Sequence, residues 1–191
     1  MPDAIVEQWA REPPLTAEVR RPLAELNRGF LELRGFASPQ FAQLAPAQIA
    51  AAADCPYALF DLRFDDPVYW AGRLGPEEAW RGVEDSQPAD PEVVSFVRTA
   101  LFYGWHLAST TGLRARLLLG MHDRTVLAFA AAPLRRLDAL AIAESGQLRL
   151  RWPERDSFWR ALAEAARHAD TTELRRVQLH GLQFAAAARL R

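Results

Sequence analysis

The sequence predicts an all-α protein made of two similar multi-helix halves packed as a tandem repeat, with two short extended segments. Three observations carry that expectation. Apolar residues recur at spacings of three and four through most of the chain, the period of an amphipathic helix. Pro stands near the first turn of several of these stretches, where its missing N–H costs nothing. The phrases "ALFDLRFDD" (58–66) and "GQLRLRWPE" (146–154) each contain Leu-Arg-aromatic and are each followed by an aromatic pair, Tyr69-Trp70 or Phe158-Trp159.

In chain order, "LTAEVRRPLAELNRGFLEL" (15–33) takes Thr16 as N-cap and sets Val19, Leu23, Leu26, Phe30 and Leu33 on one stripe. Pro22 would kink this helix or mark its true start. "SPQFAQLAPAQIAAAADCP" reads as two short helices opened by Pro39 and Pro46. The polar stretch 71–92 contains the seam between halves, at 84–90, and within it "GPEEAWRGV" reads as one exposed helical turn. Asp90 caps a long helix with Pro91 at its first position, a buried stripe of Val94, Val97, Leu101 and Trp105 with Phe102 on the flank, and an end at Gly112. Three short helices follow, with Gly120 as a C-cap and Asp123 and Pro133 as start signals. Two amphipathic helices close the chain, the last with Leu174, Val177, Leu182 and Phe184 among its apolar positions. The organisation is an N-terminal arm (1–14), helical repeat 1 (15–84) and helical repeat 2 with an extra C-terminal helix (85–191), the alternative being one compact domain.

The 191 residues suffice for a sizeable core, and half of them are apolar, so extensive disorder is excluded. The net charge of −1 conceals an asymmetry: residues 1–111 hold 9 Arg against 16 acids, and residues 112–191 hold 14 Arg against 8. A polarity of −7 against +6 orients the halves on each other or serves a charged partner. The single cysteine, Cys55, forms no internal disulfide, the N-terminus lacks a signal-peptide pattern, and the longest apolar run, 126–134, is interrupted by Pro133. A cytoplasmic bacterial protein with no membrane partner is expected.

Sliding the chain by 88 positions tests the repeat, and over residues 41–64 it gives six identities in 24. Arg63 then pairs with Arg151 and Phe64 with Trp152, and one inserted residue aligns Tyr69-Trp70 with Phe158-Trp159. Each Arg is expected to lie along aromatic surface with its head solvated or paired to Asp65, Asp66 or Glu154.

Catalytic chemistry finds no support. His106, His122, His168 and His180 have no metal-ligand spacing, and no phosphate loop or nucleophile elbow occurs. The pairs Asp65-Asp66 and Glu77-Glu78 read as solvated or capping carboxylates, and Cys55 as a small core residue. The expectation is a non-enzyme with no catalytic residues, no cofactor and no metal.

"ELNRGFLEL" (25–33), residues 41–66 and residues 120–152 together resemble the D subunit of the bacterial flagellar master transcriptional activator. Glu25, Leu26, Asn27, Leu44, Gln48, Ile49, Arg63, Phe64 and Asp65 match in the first half, and Gly120, Leu137, Leu140, Arg151 and Trp152 in the second. The resemblance implies a helical regulator that binds DNA together with a C partner subunit, the pattern here occurring twice. From the residues themselves, the expected function is that of a non-enzymatic regulatory or adaptor protein acting through protein–protein contacts; the resemblance implies a setting in flagellar or secretion-system gene control. Its partner-binding candidates are Trp80, Arg135, Arg136, Arg175 and Arg176. The alternative is a regulator binding DNA through the Arg-rich C-terminal half, and homo-oligomerisation is left open.

Overall fold

Caps and prolines set where the helices begin. The computed structural model describes residues 17–33, 35–36, 39–75 and 90–187. Helix α1 (Ala17–Glu32) runs through Pro22 and buries Val19, Leu23, Leu26, Phe30 and, just past its end, Leu33. Its expected cap, Thr16, lies outside the described residues. Pro39 opens only a 3-10 turn (Pro39–Phe41), whereas Pro46 opens α2 (Pro46–Ala53), where Gln48 Oε1 accepts from Ala45 N at 2.8 Å. A two-residue strand β1 (Phe60–Asp61) precedes α3 (Pro67–Leu74), whose N-cap Asp66 accepts from Tyr69 N.

Asp90 caps α4 (Pro91–Thr110), accepting from Glu92 N. The helix ends before Gly112 and buries a wider face than the spacing predicts. Val93, Phe96, Val97, Ala100, Leu101 and Gly104 are buried, while Val94 and Trp105 are only half-buried, because other helices pack on both sides of it. Gly112 opens α5 (Gly112–Arg114), which widens into a π turn (Ala115–Leu119) closed by left-handed Gly120. His122, rather than Asp123, caps α6 (Asp123–Ala131), and Pro133 precedes α7 (Leu134–Glu144). Strand β2 (Arg149–Leu150), α8 (Asp156–Arg167) and α9 (Thr171–Ala187) complete the chain.

The protein is therefore mainly helical, and the two Leu-Arg phrases form its small antiparallel pair, Phe60 opposite Leu150 and Asp61 opposite Arg149. One contiguous apolar core joins residues of both halves, among them Leu23, Phe30, Phe60, Leu101, Leu137 and Trp159. Helix α4 packs along α6 and α7, and α1 along α2. The helix after each strand crosses over: α3 lies on α6, and α8 lies on α2 and the 3-10 turn. Each crossing is fastened alike. The third residue of α7, Arg136, donates to Arg73 O at 3.0 Å, and the third residue of α2, Gln48, donates to Arg167 O at 2.7 Å, satisfying last-turn carbonyls that a helix leaves open. Among the described residues no helix is long and apolar enough to cross a membrane.

Candidate functional site

The two strand-to-helix corners define the centre of the molecule. Arg63 and Trp152 both take φ of 56°, a left-handed conformation that non-glycine residues rarely adopt. Each accepts two hydrogen bonds on its carbonyl. Arg63 O receives Asp66 N at 3.0 Å and the Trp70 indole at 3.0 Å; Trp152 O receives Arg155 N at 3.0 Å and the Trp159 indole at 3.2 Å. Trp70 packs edge-on against Phe129, and Trp159 edge-on against Phe41. This geometry matches Arg63 to Trp152, one position later than the sliding comparison, and therefore Leu62 to Arg151.

The two arginines then differ in environment. Arg63 lies 4.2 Å from the Tyr69 ring centroid and pairs with Asp66 at 2.6 Å, as expected from the sequence. Arg151 is only 8% exposed, and its head is turned inward, not solvated or paired to Glu154 as expected. Its Nη1 donates to Leu118 O at 2.9 Å and Ala58 O at 3.3 Å. Gly120 makes room for it: at φ 75°, a Cβ there would stand 2.5 Å from Arg151 Nη2. The guanidinium is thus held in a slot that only glycine permits, since any side chain would add strain to a clash.

Beside the second corner lies a cleft of about 660 Å³. Met121, Trp152 and Phe184 form its apolar lining, and Asp65, His122 and Arg155 are among its polar residues. The Arg155 guanidinium sits 4.9 Å from the Phe184 ring, and Arg116 pairs with Asp123 at 2.6 Å. His122 Nδ1 accepts from Arg124 N, which leaves Nε2 as the donor of the neutral ring. Both charge signs line the cleft, so it suits polar groups of either sign and selects neither.

A buried cluster on the opposite corner was not legible in the sequence. Glu144, wholly buried at the end of α7, accepts from the Tyr69 hydroxyl at 2.5 Å. Arg73 Nε lies 3.2 Å from its other oxygen, an ion-pair distance without hydrogen-bond geometry. Burial raises the Glu144 pKa above the usual carboxylate value against the opposing pull of Tyr69 and Arg73. Burial, assisted by Glu144, likewise pushes Tyr69 up to about 12. Cys55 is buried with its thiol pushed up to about 12, chiefly by desolvation, which makes it a core residue and a poor nucleophile.

The partner-binding candidates scatter. Trp80 and the Glu77-Glu78 pair lie outside the described residues. Arg135 is exposed at the start of α7, beside Leu134 at 46% exposure, while Arg136 is turned inward as the cap on α3. Arg175 and Arg176 are exposed on α9, and Arg176 is tied to Glu173 at 2.5 Å. The fold thus puts them on two helices, and it draws one of them into structural service. All four histidines are exposed, and no cluster of three metal-ligating side chains occurs among the described residues. No family model matches the chain, and comparison with curated proteins and with solved structures found no match.

Proposed function

We propose that this chain is a non-enzymatic regulatory or adaptor protein that works by binding another protein. Its setting would be the cytoplasmic gene control of flagella or a secretion system that the likeness to the flagellar activator implies. The observation that carries the reading is the pairing of exposed arginine with exposed leucine on outer helix faces. Arg135 adjoins Leu134 on α7, and Arg175 shares a face of α9 with Leu179, which is 62% exposed. Apolar side chains rimmed by charge are the usual make-up of a protein-binding patch. The matched corners and reciprocal crossings support a further element of the proposal, that the two halves are degenerate copies of one unit.

The test is affinity capture by the tagged protein from lysate of its source cell, with and without nuclease, read by mass spectrometry. A stoichiometric protein partner that survives nuclease, and is lost on Arg175→Glu with Arg176→Glu in a folded variant, is the expected result. Absence of such a partner overturns the reading. The excess of 14 Arg over 8 acids in residues 112–191 favours DNA binding as a second reading. It requires duplex affinity to fall by decades between about 50 and 200 mM salt if six or more phosphates are contacted.

A further inference from the structure

Helix α9 is amphipathic in an unusual sense, because two of its faces carry apolar side chains. The inner face, with Leu174, Val177, Gly181 and Ala185, is buried against α8 and Tyr57. On a neighbouring face, roughly 120° round the helix, Arg175, Leu179, Leu182 and Ala186 follow one another at spacings of four, three and four, which places them on a single stripe. All four are exposed, Leu179 by 62% and Leu182 by 37%. Arg175 makes no hydrogen bond or ion pair among the described residues, in contrast to its neighbour Arg176. The stripe therefore pairs two uncovered leucines with an uncommitted cation one turn away.

We propose, building on the adaptor reading, that this outer face of α9 docks an acidic amphipathic helix of a partner protein. The leucines would seat in the partner's apolar ridge, and Arg175, with Arg176 on the flank, would meet its carboxylates. Charge complementarity selects this occupant. Helix α9 itself carries Arg175 and Arg176 against the single acid Glu173, and helix-on-helix recognition reads anchors at this spacing. A nucleic acid would leave Leu179 and Leu182 covered by nothing suited to them. A membrane surface would want a broader apolar face with aromatic anchors, and this stripe has no aromatic residue.

The probe is a fluorescein-labelled synthetic helix of about 18 residues with Leu at these spacings and Glu on its flanks, compared with a twin carrying Lys in place of Glu. The full-length protein should bind the Glu peptide about tenfold or more tightly than the Lys twin. Leu179→Glu, alone or with Leu182→Glu, should remove binding, and Arg175→Glu should reverse the preference; Leu179→Glu and Arg175→Glu should leave the thermal midpoint unchanged because both side chains are well exposed, whereas Leu182 is only 37% exposed. Equal affinity for both peptides, binding indifferent to these substitutions, or no binding overturns the proposal. So does concentration-dependent self-association abolished by Leu179→Glu, or duplex DNA binding abolished by Arg175→Glu, each of which assigns the face elsewhere. If a partner captured from lysate is unaffected by the leucine substitutions, the adaptor reading survives and this face does not.

Discussion

The two corners of the molecule share a backbone and differ in what surrounds it. At the first, Leu62 is buried, Arg63 lies over Tyr69, and the Tyr69 hydroxyl holds the buried Glu144. At the second, Arg151 takes the place of Leu62, Trp152 that of Arg63 and Phe158 that of Tyr69, and α9 closes over the outside with Phe184 against both Trp152 and Phe158. The same left-handed turn with an indole on its carbonyl thus tolerates either a polar or an aromatic filling. What is held constant is the hydrogen bonding of the turn; what varies is which long side chain turns inward.

The sharpest way to test that equivalence is to remove the tryptophans. Trp70 and Trp159 are both essentially unexposed, and Trp70→Ala and Trp159→Ala should each cost about 3–5 kcal/mol in denaturant unfolding. Costs that differ by more than this range would mean that the corners are alike in shape only. Next in size is the closing helix, α9. A Cβ at Gly181 would stand 1.9 Å from the Tyr57 hydroxyl, so Gly181→Ala should lift α9 and cost about 2–3 kcal/mol. Gly72, on α3, faces open space, and Gly72→Ala should be neutral or stabilising by up to about 1 kcal/mol.

A smaller contrast separates two left-handed glycines. Gly35→Ala, at φ 83° with nothing near its missing Cβ, should cost about 1 kcal/mol for the backbone alone. Gly120→Ala adds the clash with Arg151 and should cost about 2–3 kcal/mol in the same unfolding assay.

The smallest effect concerns pH. Because Glu144 has its pKa raised in the folded protein, the native state favours its protonated form. Its contribution is therefore most favourable below the pKa of the unfolded chain and is lost as pH rises through the folded value. Thermal midpoints of Glu144→Gln should fall less steeply than those of the parent protein across that interval. Parallel profiles would show that Tyr69 and Arg73 fully compensate the burial.

Much of this arrangement was legible in the sequence for a physical reason: capping and amphipathic spacing act within one or two turns of chain. Asp90, Pro46 and Pro91 mark helix starts by chemistry confined to the first turn, and the stripe from Val19 to Leu33 must face a core. The extended character of both Leu-Arg phrases was equally local. The register between the corners was not, because a left-handed residue that is neither Gly nor Asn leaves no compositional mark. Sliding the sequences alone aligned Arg63 with Arg151, and only the shared turn shows that Trp152 is its counterpart.

The sequence by itself determined a mainly helical chain, the helix starts and the apolar stripes that build one core. Tertiary structure alone decided that α3 and α8 cross to the opposite halves, that Arg136 becomes a cap instead of a free surface cation, and that Glu144 and Arg151 are buried. The reason lies in reach. A local pattern states that a side chain is polar or apolar, but whether a long polar side chain meets water or a carbonyl depends on chain segments tens of residues away. The exposed stripe on α9 stands at the same boundary: its spacing is written in the sequence, and only the packing of the inner face leaves Leu179 and Leu182 uncovered.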